Sequence, residues 1–407
     1  MFHLFLLLLF CSVVQSYPQL IANKIIFTYQ SSGTPFGEWG TLFTLCLAPL
    51  VAHVASGVVG ATILGGSQGP SWSAYLPHFN PLSIVWRYYI IADRRVRARS
   101  WDQCDMAGCN ALFWDAERKR WDGSEEIMVR SRAWITKIPE KSHVRLLSGS
   151  FFQTTVLTYQ GITLMFYVTE SLRGSSMYGG ASLGGHNSPQ GLDGLFVALQ
   201  ALGLMRLPAA LWLSSDYGYQ NFRGTDMVLE RVENPLEKHV SENILEARAS
   251  NHQSEEDVRD RLLPLHCWQG ILYRGFWLLT TWGILGPAAS SCSMFFWGYN
   301  PDVPYDAVSR LLWQIMYFVL ATSTILLYTV YIFQGKTRST VIPCIHETWY
   351  KIFTMFFIIM AGVTAVLLCL ETRVRVDGTT TVLPVFLCGE VGTVCSIAKK
   401  GQGNFNV

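Results

Sequence analysis

Six stretches of about 20 largely apolar residues punctuate the chain, each long enough to cross the hydrocarbon core of a bilayer as a helix. The first, Thr41 to Leu64, is free of formal charge but carries Pro49 and His53. Leu146 to Thr169 follows, then Gly191 to Leu213, which contains Asp193 and Arg206. Trp268 to Ala289 contains Arg274, and Leu311 to Phe333 and Tyr350 to Leu370 are the most apolar. Helices are the expected form, because in hydrocarbon each backbone N–H must find its partner within its own segment. A shorter apolar run, Phe2 to Phe10, opens the chain and is followed by small and polar residues up to Ser16. About nine apolar residues are too few to span, so residues 1–16 are read as a signal peptide. An uncleaved anchor is the alternative, and both put Tyr17 onward outside.

Shorter patterns lie between these segments. Asn80 followed by Pro81 marks a helix start, with Asn as cap and Pro in the first turn. Trp86, Tyr89 and Ile90 share one side of that helix, and Arg94, Arg95, Arg97 and Arg99 gather at its C-terminal end, where they suit the helix dipole. The pattern fits a helix lying in the membrane interface with its four arginines against anionic lipid headgroups; the other reading is that they only fix orientation. Ser124 caps a short helix bearing Glu125, Glu126 and Met128, with Trp134 and Ile135 further on. Residues 241–249 and 254–262 read as two short solvated helices, and the Gly- and Ser-rich stretch 170–190 as a flexible loop. Residues around Asp377-Gly378 alternate like a small hairpin.

Charge sets the orientation. With Tyr17 outside, loops 65–145, 214–267 and 334–349 face the cytoplasm and hold 13, six and two of the 31 lysines and arginines, against six on the other side. That is the positive-inside distribution. The expected architecture is an all-helical bundle with six spans. Residues 17–40 form an outer segment, 41–213 a first three-helix part containing the cytoplasmic loop 65–145, 214–267 a hydrophilic loop, 268–370 a second three-helix part, and 371–407 an outer tail. Composition agrees: half the residues are apolar and 15% are charged, against roughly 25% in soluble domains. A net charge of +2 is too small for a nucleic-acid binder.

Candidate chemistry is sparse. Asp102 and Asp105 put two carboxylates on one helical face, a spacing that holds magnesium and diphosphate in prenyl-transfer enzymes, but such enzymes use two motifs and only one is present. Cys104 and Cys109 lack a second pair for zinc. Cys388 and Cys395 are placed to form a disulfide on the outer side. The cluster Cys344, His346 and Glu347 has no complement elsewhere, and His53 is the one histidine deep within a span, so no haem or other cofactor is implied. Charges inside spans are the stronger pointers, since each costs about 2.5–3.5 kcal/mol at the bilayer centre. Asp193, Arg206 and Arg274 either line a polar passage or cavity, in which a carboxylate would pair with one of the arginines, or they snorkel or form one structural ion pair.

The stretches GEWGTLFTLCLAPLVAHVASG, RYYIIADRRVRAR and WDGSEEIMVRSRAW resemble those of uncharacterised multi-spanning membrane proteins of filamentous fungi. The resemblance covers most of the chain and carries over no activity; the signal peptide and six spans lead to the expectation of a secretory-pathway or plasma-membrane protein. Three functions are expected in descending order: a small-molecule transporter or transport accessory resting on Asp193, Arg206 and Arg274; a membrane enzyme acting on a lipophilic substrate through Asp102 and Asp105; and a receptor or scaffold using the cytoplasmic loops.

Overall fold

Asn80 and Pro81 start the helix around which the other elements are arranged. The computed structural model describes residues 24–27, 51–64, 68–145, 148–159, 162, 203–220, 258–297, 305–371, 373–374 and 380–381. In chain order its elements are β1 (Lys24–Ile26), α1 (51–57), β2 (Ala61–Leu64), α2 (Trp72–Tyr75), α3 (Pro81–Arg97), α4 (Gln103–Asn110), β3 (Leu112–Asp115), β4 (Arg120–Asp122), α5 (Glu125–Arg130), β5 (Ile135–Lys137), α6 (149–159), a 3-10 turn (Leu207–Trp212), β6 (Gly218–Tyr219), α7 (Trp268–Trp297), β7 (Tyr305–Ala307), α8 (Val308–Phe333), α9 (Thr348–Glu371), β8 (Arg373–Val374) and β9 (Thr380–Thr381). The described residues are mostly helical.

α3 begins where expected: Asn80 Oδ1 accepts the Leu82 N–H at 3.0 Å, and Pro81 occupies the first turn without loss because no intrahelical partner exists there. Asn80 Nδ2 also donates to Thr354 Oγ1 of α9 at 3.0 Å. The surroundings of α3 differ from those expected. Protein buries 14 of its 17 residues, so it is a central strut rather than a helix lying in the membrane interface. Trp86 donates to the Ser339 carbonyl at 3.1 Å and packs edge-on against Tyr328 and Tyr331 of α8. One turn on, Tyr89 packs on Tyr273 and Trp277 of α7. Aromatic residues suit an interface, but they also fill helix junctions, and here the neighbouring helices supply enough apolar surface to take them.

Among the described residues two helices, Ile315–Phe333 within α8 and Thr348–Glu371, are long and apolar enough to cross a membrane. Their bounds lie within a few residues of those predicted, and α7 starts at the predicted Trp268 and runs on through Pro287. α8 packs between α7 and α9. Gly335 closes α8 at φ 67, a conformation only glycine adopts freely, while the Lys336 N–H reaches the Tyr331 carbonyl at 2.9 Å. At its other end, Glu371 accepts the N–H groups of Val308 and Ser309.

α7 and α9 each turn an apolar stripe away from the protein. On α7 it comprises Trp268, Ile271, Leu272, Phe276, Leu279 and Trp282; on α9, Ile352, Met355, Phe356, Ile359, Val363 and Val366. Both stripes follow the three-and-four spacing of a helix face. Contiguous exposed apolar surface of this kind is uncommon on proteins surrounded by water, and with the two apolar helices it points to membrane association.

The predicted helix from Thr41 to Leu64 needs correction. α1 stops at Gly57, and Ala61–Leu64 is a strand pairing in parallel with β3, which pairs antiparallel with β4. The reason is steric: a Cβ on Gly57 would lie 2.2 Å from Ile84 Cγ2, so the backbone must pass close to α3, and the Val-Val-Gly that follows favours extended chain. The predicted span ending at Leu213 finishes in a 3-10 turn opened by Pro208 rather than in an α-helix. Ser124 caps α5 as expected, accepting the Ile127 N–H at 3.2 Å. β8 and β9 pair antiparallel on either side of Asp377-Gly378, which lie outside the described residues. The signal peptide, the loop 170–190, the helix at 241–249, Asp193, Cys388 and Cys395 also lie outside them.

Candidate functional site

Three groups of charged side chains, two of them buried and one half-buried, are assembled around α3. The first joins α3 to α7. Asp93 is the lone carboxylate in the basic run, and Arg97, one turn later, donates to it at 2.7 Å from Nε. From α7, Arg274 reaches the other Asp93 oxygen at 3.1 Å and donates to the Leu265 carbonyl at 3.0 Å. Arg97 also pairs with Glu125 in the first turn of α5 and donates to the Leu263 carbonyl at 2.9 Å. Two carboxylates thus face two guanidiniums, all at most about one-tenth exposed. Such a group is nearly neutral as a unit, so its burial is tolerable, while removal of one member leaves a stranded charge. Arg274 is therefore held in a structural ion pair.

Arg94 is also buried, but it serves as a brace. Its Nη2 donates to the carbonyls of Gly123 and Arg338, tying the α5 approach to the loop after α8. Gly123 must be small there, since a Cβ would meet Thr340 Oγ1 at 2.4 Å. Arg95 lies over the rings of Trp101 and Trp212, and Arg99 is exposed. The expectation that all four arginines meet lipid headgroups is corrected accordingly: Arg94 and Arg97 are 0% and 1% exposed and hydrogen-bond to protein carbonyls.

The second group is the Asp102–Asp105 pair. Its spacing has a local cause: Asp102 caps α4 by accepting the Asp105 N–H, and Asp105 accepts the Asp102 N–H in return. Arg132 then bridges both carboxylates, at 2.5 Å to Asp102 and 2.8 Å to Asp105, and Arg261 closes from the other side at 3.3 and 3.1 Å. Burial raises the Asp102 carboxyl, but the Arg132 hydrogen bond, the cap and both guanidinium charges outweigh it and hold the group below the usual carboxylate range. With two arginines against it, the pair repels a divalent cation. Among the described residues no three of His, Cys, Asp and Glu converge. Cys344 is buried, while His346 turns towards the Trp121 carbonyl at 3.3 Å. Cys104 and Cys109 are free thiols, and Cys109 packs on Met128.

The third group joins residues of three predicted spans. Arg206, 2% exposed, donates to Thr154 Oγ1 of α6, to the Ser56 carbonyl of α1 and to Tyr88 Oη of α3, each at 2.9 Å. Its guanidinium carbon lies 5.2 Å from the Tyr88 ring centre. Arg87 donates to the adjacent carbonyl, Gly57, at 2.7 Å. Burial lowers the Arg87 guanidinium from its ordinary value; nearby tyrosines oppose this and Arg206 adds to it. His53 is completely buried against the edge of Tyr88, its centroid 6.5 Å away, and among the described residues neither ring nitrogen has a partner. Among the described residues no carboxylate pairs with Arg206 or Arg87.

Sequence reasoning singled out His53 and Arg206 separately, and the fold brings them together through Tyr88. It did not single out Asp93, Arg87, Tyr88 or Thr154. Asp93 was findable from its helical spacing to Arg97; Arg87 and Tyr88 carried no local signal. No family model, curated protein or solved structure matches this chain.

Proposed function

We propose that this is a multi-pass membrane protein of the secretory pathway or plasma membrane, with a signal peptide and six spans, that transports a small molecule or assists its transport. The orientation draws support from the contacts between loops. Segments assigned to the cytoplasmic side meet one another: Arg94 reaches the Arg338 carbonyl, Arg97 the Leu263 carbonyl, and the Arg99 N–H the Arg261 carbonyl at 2.8 Å. Segments assigned to the outer side also meet: β1 pairs with β7, and Glu371 holds the start of α8. The resemblance to uncharacterised fungal membrane proteins belongs to the same proposal, as does contact of the exposed Arg99 with anionic headgroups.

The transport reading is carried by Arg206, an arginine of the third predicted span buried by partners from the first, the second and α3. A cation retained at such a junction is costly unless used. The enzyme reading loses its support, because arginines occupy the Asp102–Asp105 pair. The test is uptake by proteoliposomes from a mixed extract of small metabolites, with and without Arg206→Gln. Protein-dependent enrichment of a solute, lost in the variant while the fold is kept, is expected. Enrichment of nothing, or full uptake by a folded variant, overturns the reading.

A further inference from the structure

We propose that the junction of α1, α3 and the Arg206 turn is a binding site for an oxyanion, the carboxylate or phosphate group of a ligand. This deepens the transport reading and rests on Arg206 being retained for use.

The first argument is charge balance. Arg206 and Arg87 donate to consecutive carbonyls, Ser56 and Gly57, at the C-terminal end of α1. The exposed carbonyls of a helix end supply about half a negative charge, against two full positive ones. Elsewhere in the protein the buried and half-buried arginines are handled differently. Arg97 and Arg274 share Asp93 and Glu125, and Arg132 and Arg261 share Asp102 and Asp105. Arg94 also lacks a carboxylate, but it is a single cation divided between two loop carbonyls. Only at the α1 end, among the described residues, do two guanidiniums stand together without one.

The second argument is the character of the unspent polar atoms. Among the described residues Arg87 Nε, like Arg94 Nε and Arg95 Nε, is buried without a partner, and so are both nitrogens of His53. Tyr88 Oη accepts from Arg206, which leaves its own proton to give. Apart from one ring nitrogen of neutral His53, these groups are donors. A cation is repelled here, an anion is satisfied by several charge-assisted hydrogen bonds, and an oxyanion suits the planar fork of a guanidinium.

The third argument is preorganisation. Thr154 fixes Arg206 Nε, and Gly57 lets the α1 backbone approach α3 closely enough for Arg87 and Arg206 to reach neighbouring carbonyls. The guanidiniums are held before a ligand arrives.

The test uses the full chain in phosphatidylcholine nanodiscs, with thermal unfolding followed in inorganic phosphate, acetate or chloride at constant ionic strength. Phosphate or acetate should raise Tm saturably over chloride. Arg87→Gln, which leaves Arg206 in place, should weaken the apparent Kd by about tenfold or more, the effect of one charge-assisted hydrogen bond, and His53→Phe should weaken it too. Protection by free phosphate or acetate identifies a solute; protection only when phosphatidylglycerol replaces phosphatidylcholine identifies a headgroup phosphate, and both support the site. The proposal is overturned if neither anion nor lipid shifts wild-type Tm, or if Arg87→Gln and His53→Phe respond as wild type does. It is equally overturned if no anion acts and Asp193→Asn destabilises the chain as much as Arg206→Gln, which would make the chain's own carboxylate the counter-ion. Anion binding without solute uptake leaves the site standing and removes transport; uptake without anion binding does the reverse.

Discussion

Asp93 of α3 and Arg274 of α7 meet at 3.1 Å, with both side chains almost fully removed from solvent. The pair makes the long apolar helix α7 and the polar connection before it parts of one structure. It also separates the two arginines that sequence reasoning grouped: Arg274 has a carboxylate, and Arg206 has none among the described residues.

Asp93→Asn should therefore destabilise the folded protein by about 3–5 kcal/mol, because Arg97 and Arg274 lose their shared carboxylate while still buried. Arg274→Gln should act similarly, and the double variant should cost clearly less than the sum of the two. Thermal or denaturant unfolding of the purified chain measures all three. Near-neutral single changes would refute the ion-pair account.

Acid stability should depend on His78. Burial, with Arg87 and His346 adding to it, pushes this imidazole down from 6.5 to about 3, and its ring is packed 4.4 Å from that of Trp121. The unfolded chain takes up a proton near the ordinary value, whereas the folded chain resists until the depressed one. Stability from this group is thus present above pH 6.5 and declines as pH falls towards 3, by about 1.4 kcal/mol per pH unit. Unfolding followed across that range should show the slope, and His78→Phe should reduce it by the share this one imidazole contributes.

Orientation gives a third expectation. A glycosylation acceptor inserted at Gly335, in the loop after α8, should stay unmodified, and one between β8 and β9 should be modified. A protease added to sealed vesicles from the cytosolic side should reach a cleavage site placed at the exposed Arg99. The reverse pattern would invert the map and remove the basis for reading Arg206 within a span.

The parts legible beforehand were those with a local cause. The apolar runs at 311–333 and 350–370 marked α8 and α9 nearly to the residue, because helix length and hydropathy are properties of consecutive side chains. Asn80-Pro81 and Ser124 marked two helix starts, because a cap is a contact between near neighbours. Asp102 and Asp105 were noticed for the right geometry but the wrong chemistry: their spacing makes a capping box, and the arginines that neutralise them come from about 30 and 160 positions downstream. Gly57 looked like an ordinary residue in an apolar run; only its approach to Ile84 explains why the helix ends there.

The order of residues alone thus determined which segments are apolar enough for a membrane, how unevenly the basic residues are distributed between the connections, and where several helices begin. Tertiary structure decided what each charge does. A buried guanidinium must spend its donors on whatever oxygen lies within about 3 Å, and those oxygens come from chain that is distant in order. Arg97 finds Glu125 and the Leu263 carbonyl, and Arg274 finds Asp93. Arg206 and Arg87 find only carbonyl and hydroxyl oxygens among the described residues, and the positive charge left over at their junction follows from that geometry.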